Sequence, residues 1–178
     1  FIYDSIGIFM DYMLWDYAES WCMRLKHISP KYKGLPEIEA EIKMCTGDYD
    51  SAIDILNGIL DINSYNSQAW NMLAESYFSK GTFEEAIEAC QFALAINEDD
   101  FKAISTLADC YYHTSSFSKA HEYYEKALMM RQDDALYHMD AVSLFQMGEF
   151  EQALVQLKKA REIIEDDPEK EIYVAMQL

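Results

Sequence analysis

Residues 67–100 read SQAWNMLAESYFSKGTFEEAIEACQFALAINEDD, and residues 101–133 read FKAISTLADCYYHTSSFSKAHEYYEKALMMRQD. Both blocks carry apolar residues three and four apart, interrupted once near the middle and once at the end. Each is therefore a helix, a short turn, a second helix and a second short turn. The small residue of the second helix sets the register outward from this pair. It recurs as Ala18, Ala52, Ala86, Ala120 and Ala153, at steps of 34, 34, 34 and 33 residues. Three residues before each alanine stands an aromatic: Trp15, Tyr49, Phe83, Phe117 and Phe150. Ten residues after it stands Ile28, Ile62, Ile96, Met130 or Ile163.

A fixed period of this length identifies a repeat architecture. The alanine lets two helices approach closely, and the aromatic opens the second helix beside the turn. The late apolar residue is expected to share that face and to pack on the following repeat. One helix hairpin cannot bury its apolar face alone, so neighbours stack into a solenoid of antiparallel helix pairs. The expected organisation is a single solenoid over 1–178. It comprises an incomplete repeat at 1–32, repeats at 33–66, 67–100, 101–133 and 134–167, and a helical tail at 168–178. First helices end at Gly47, Gly81, Ser115 and Gly148. Glycine suits a left-handed helix terminus, so Ser115 and Ser116 predict a less regular turn in their repeat. Asp48, Thr82 and Ser116 are good N-cap types for the second helices.

Composition agrees with an all-α chain. Gly (6) and Pro (3) are too scarce for a fold built on many tight turns. An apolar fraction of 51% in 178 residues supports a real core and argues against disorder. The net charge of −18 excludes nucleic acid and acidic membranes as favoured partners and steers basic protein segments toward the chain. Cys22, Cys45, Cys90 and Cys110 form no CxxC pair and are expected to be free, buried thiols. No run is long enough to cross a membrane, no secretory signal is visible, and a cytoplasmic location is expected. The chain begins at Phe1 rather than Met, inside a helical pattern, which leaves a fragment of a longer protein as one reading.

Trp70, Leu73, Ala74, Tyr77, Gly81, Phe83, Ala86 and Ala93 together resemble the tetratricopeptide repeat (TPR) pattern. Leu107, Ala108, Tyr111, Phe117, Ala120, Tyr124 and Ala127 repeat it, and Ala141, Gly148, Phe150, Ala153 and Ala160 follow. The closing proline of the pattern is present as Pro30 and replaced by Ser64, Glu98 and Gln132. The resemblance implies an all-α, right-handed α–α superhelix whose first helices line a concave groove that binds peptides or partner helices. The implied groove residues are Glu37 and Glu41; Gln68, Asn71, Glu75 and Phe78; Lys102, Ser105, Asp109 and Tyr112; and His138 and Phe145. Acids, amides and aromatics together suit a protein segment with basic and apolar residues. The TPR clamp for a chaperone's C-terminal carboxylate is rejected, because Glu37, Glu41 and Glu75 would repel it.

No catalytic, cofactor or metal constellation is read from the chain. There is no HExxH, phosphate loop or nucleophile elbow. A weak metal or pH-sensitive site from His113, His138 and Asp109 is outweighed by ordinary surface histidines. The aromatic stretch FIYDSIGIFMDYMLWDYAESW is a candidate surface for self-association. The expected function is a bacterial-type, non-catalytic adaptor. The alternatives are a secretion or assembly chaperone, and a regulatory or sensor domain of a longer protein.

Overall fold

The computed structural model describes residues 2–165, and the tail expected at 168–178 lies outside them. Among the described residues there are ten α-helices and no strand. They are α1 (Ile2–Asp11), α2 (Trp15–Ile28), α3 (Leu35–Cys45), α4 (Tyr49–Ile62) and α5 (Ser67–Lys80), then α6 (Phe83–Ile96), α7 (Phe101–His113), α8 (Phe117–Met130), α9 (Asp134–Gln146) and α10 (Phe150–Glu165). The chain divides into two compact units, Phe1–Glu98 and Asp99–Leu178.

In the first unit α1 packs on α2, α3 on α4 and α5 on α6, while α2–α3 and α4–α5 contacts join the pairs. In the second, α7 packs on α8 and α9 on α10, joined through α8–α9. Trp15, Tyr49, Phe83, Phe117 and Phe150 each open a second helix. All five alanines of the register are buried. The first unit's N-terminal core gathers Ile6, Ala18, Cys22, Leu25, Leu35 and Ile42. The second has a cluster of Leu128, Tyr137 and Ala160 and another of Ala141, Leu144 and Ala153.

The late apolar column does not do what its period suggested. Ile28, Ile62, Ile96 and Met130 are exposed, Ile62 to 89%, and only Ile163 is half-buried. Ten residues at about 100° each return a side chain about 80° away from the alanine, off the buried face. The first four are also the last residues of their helices. Ile163 differs because it packs against the Leu128, Tyr137 and Ala160 cluster.

The turn at Ser115 is as regular as the glycine turns. In the turn after α5 the Gly81 N–H donates to the Phe78 carbonyl at 2.9 Å, and the Thr82 N–H to the Tyr77 carbonyl at 3.0 Å. Ser115 and Ser116 make the same two bonds, to Tyr112 at 2.9 Å and Tyr111 at 2.8 Å. Met13 and Leu14 make them to Met10 at 2.9 Å and Phe9 at 2.8 Å. This pair of bonds closes a helix whose next residue is left-handed. Ser115 and Met13 hold φ of 59° and 55°, where Gly47, Gly81 and Gly148 hold 79–83°. The hydrogen bonds enforce the conformation whichever residue occupies the position. The expected caps are only partly realised: the Asp48 carboxylate accepts from the Ser51 N–H at 3.3 Å, but Thr82 and Ser116 make no such bond. The Thr82 hydroxyl instead donates backward, to the Tyr77 carbonyl at 3.2 Å. Cys22, Cys90 and Cys110 are free and buried as expected, whereas Cys45, the last residue of α3, is exposed.

A left-handed non-glycine residue costs roughly 1–2 kcal/mol, and the greater freedom of glycine in the unfolded chain offsets roughly 0.5–1 kcal/mol of any relief. Ser115→Gly and Met13→Gly are therefore each expected to stabilise the chain by about 0.5–1 kcal/mol. Urea unfolding followed by circular dichroism measures this, and an unchanged or lowered midpoint would refute a strained turn.

Candidate functional site

The residues implied to line a groove fall on first helices of both units, and their surroundings differ. In the first unit Glu41 and Gln68 are exposed, Glu37, Glu75 and Phe78 are half-buried, and Asn71 is buried. α3 and α5 bring Glu41 and Glu75 toward the same point, the thiol of Cys45. Partial burial raises that thiol's pKa most, and the fields of Glu41 and then Glu75 raise it further. Two carboxylates on neighbouring first helices thus make one negative patch. Three lysines of this unit are engaged elsewhere: Lys26 with Glu39 at 2.8 Å, Lys43 with Glu19 at 2.8 Å, and Lys80 with Asp50.

In the second unit Lys102 and His138 are exposed, and Ser105 and Tyr112 are half-buried. Asp109 turns inward rather than outward. Its carboxylate accepts a 2.6 Å bond from the hydroxyl of Tyr124, which is 0% exposed. Burial raises the Asp109 pKa, against the lowering effect of the Tyr124 bond and of the nearby His113. Phe78, Tyr112 and Phe145 share another role. Each meets the aromatic that opens the following helix: Phe78 with Phe83 at 5.6 Å, Tyr112 with Phe117 at 5.7 Å, and Phe145 with Phe150 at 5.2 Å, all edge-on. These rings clasp the turn of their own helix pair, and Phe145 still leaves 60% of its surface exposed.

Sequence reasoning missed a second buried carboxylate. Asp140 is 0% exposed. It lies 2.6 Å from Nδ1 of His121 and accepts from Nε2 of Gln156 at 2.7 Å. The bonds tie α8, α9 and α10 together around one oxygen pair. The available signal was position: Tyr137, Asp140, Ala141 and Leu144 follow the spacing of a buried helix face. Burial raises the Asp140 pKa, opposed by His121 and Gln156. The metal grouping of His113, His138 and Asp109 has no counterpart: among the described residues no cluster of three or more His, Cys, Asp or Glu is placed to hold an ion. Nor, among them, is any helix long and apolar enough to cross a membrane.

Tyr124→Phe removes the only hydrogen bond shown for the Asp109 carboxylate and is expected to cost about 1–3 kcal/mol at neutral pH. The sign follows from linkage. A carboxyl whose folded pKa is raised contributes stability below the ordinary carboxylate range and loses it as pH rises through the folded value. Losing the tyrosine raises that value further, so the penalty should shrink on going from pH 7 to pH 4. Thermal unfolding of both proteins at the two pH values checks this, and a pH-independent difference would remove Asp109 from the account.

A TPR family profile matches residues 46–90 and 77–139, together over half of the chain. No curated protein matches the sequence. Among solved structures, MamA is similar at 21% identity and a TM-score of 0.78, with 96% of each chain covered. The MamA RS-1 ArsTM double mutant is similar at 13% identity and 0.80, covering 94% of this chain and 95% of that one. A thermophilic TPR protein of Thermus thermophilus is similar at 18% and 0.75, covering 99% and 98%. At these identities the likeness is one of fold, an all-α superhelix of TPR type.

Proposed function

The chain belongs to the tetratricopeptide repeat family, and from that premise we propose that it is a non-catalytic scaffold whose first-helix faces bind a protein segment carrying basic and apolar residues. The observation that carries this reading is that the fields of Glu41 and Glu75 both reach Cys45, in a chain of net charge −18 in which Lys26, Lys43 and Lys80 are paired with other carboxylates. Negative charge of this kind speeds encounter with a cationic partner and disfavours acidic ones. Apolar contact comes from aromatics that the turns hold half-open, such as Phe78 and Phe145. Asp109 contributes less than its position suggested, because its carboxylate already serves Tyr124.

Affinity capture from the native lysate with the chain as bait, beside a Glu37→Lys/Glu41→Lys/Glu75→Lys variant, tests the reading. A protein retained by the native bait and lost with the variant supports it. Equal retention, or no specific retention, counts against the acidic face.

The exposed Tyr12, Met13 and Tyr17 of the first helix pair favour a second contact, between copies of the chain. Light scattering across a concentration series is expected to show a dimer that Tyr12→Ser/Tyr17→Ser abolishes. A monomer at every concentration would refute it.

A further inference from the structure

A cavity of about 250 Å³ lies between α1 and α3 in the first unit, and it has a definite chemical character. Its floor is apolar: Ile6 is fully buried, and Met10 and Ile38 are half-buried against the same core. The ring of Tyr3 stands at its wall, and two exposed carboxylates, Asp11 and Glu41, stand at its rim. No lining residue is basic. Among the described residues neither Asp11 nor Glu41 makes an ion pair; Lys26, Lys43 and Lys80 are held by other carboxylates.

Residue 7, on the wall of this cavity, is glycine. A Cβ at Gly7 would meet nothing within 4 Å, and Gly7 lines the opening. Inside a helix glycine is less favourable than alanine by about 1 kcal/mol. No turn or positive φ at Gly7 requires it, since the left-handed glycines are at other positions. The helix therefore gives up stability at one of the residues that line the opening.

An apolar shaft closed by two carboxylates fits a side chain with an aliphatic stem and a cationic head. A purely apolar side chain would fill the floor but leave the carboxylates partly dehydrated without a partner. An acidic one would be repelled. An aromatic ring at the wall adds attraction for a cation. We propose that this cavity receives a lysine or arginine side chain of the bound segment; the assignment rests on the scaffold reading and fixes one contact within it.

Fluorescence anisotropy at physiological salt tests it, with fluorescein-labelled, N-acetylated, amidated 12-residue peptides. The peptides are built of Ala, Leu and Ser around a central lysine or arginine, their flanking residues varied, beside the same peptides with norleucine at the centre. The lysine and arginine peptides are expected to bind at least tenfold more tightly than the norleucine ones. Gly7→Leu, which fills the cavity and improves the helix, and Asp11→Asn/Glu41→Gln are each expected to weaken them at least tenfold. Glu151→Gln, an acid of the other unit, serves as control and should leave them unchanged. If the cationic peptides bind both cavity variants as tightly as the native chain, the cavity is not their site and the scaffold reading survives. If no peptide binds the native chain, both fail.

Discussion

The structure depends on how closely two helices of a pair can approach, and that distance is set by a methyl group. Ala18, Ala52, Ala86 and Ala120 are fully buried and Ala153 nearly so. Any larger side chain there would press against a partner helix, and overpacking of this kind costs about 1–3 kcal/mol. Once the helices touch, the turn before each second helix must reverse the chain in very few residues. The paired backbone bonds that end α1, α5 and α7 do this by forcing one residue into the left-handed region. The aromatic that opens the next helix then fills the space beside the turn, and Phe78, Tyr112 and Phe145 close over it. Close approach, reversal and clasp form one unit.

Depth decides what a carboxylate does in this chain. Asp109 and Asp140 are drawn inside the second unit, where burial favours their protonated forms and each needs hydrogen-bond donors to remain. Tyr124 supplies one; His121 and Gln156 supply the other. A fully buried polar group tolerates only the geometry that satisfies it, so Asp140 fixes the packing of α8, α9 and α10, while the bond from Tyr124 to the half-buried Asp109 ties α8 to α7. Glu41 is exposed and Glu75 half-buried in the first unit, and both add negative charge around Cys45. The net charge of −18 is therefore not one uniform property: part of it is enclosed by local donors, and part remains available to a partner.

Much of this was legible in the sequence because it repeats. The alanine and aromatic columns declare the helix pairs, and their helical spacing places Glu41 and Glu75 on first-helix faces. What escaped was whatever a column cannot encode. Ile28 and Ile62 keep the period but not the face, because ten residues do not complete a whole number of helical turns. Ser115 and Met13 do not look like turn residues, yet the backbone bonds around them impose the turn. Thr82 has the chemistry of a cap but spends its hydroxyl on the preceding helix. The cavity between α1 and α3 was the least legible feature. α1 carries the weakest repeat signature, and a void between two helices belongs to neither helix's pattern.

The first helix pair brings together local costs that occur singly in other pairs, at Ser115 after α7 and at Gly58 within α4. It holds a left-handed methionine where most of the other turns use glycine, and a glycine in mid-helix where neither turn nor φ needs one. It leaves Tyr12, Met13 and Tyr17 in water. Repeat solenoids spread stability over nearest-neighbour contacts, and among the described residues this pair is joined to the next through α2 and α3. Residues chosen for packing alone would remove them: a glycine at 13, an alanine at 7 and polar side chains outside. Tyr12, Met13 and Tyr17 instead present apolar surface, and Gly7 lines the cavity between α1 and α3. A helix pair that keeps all three together trades packing for exposed apolar surface and an open cavity.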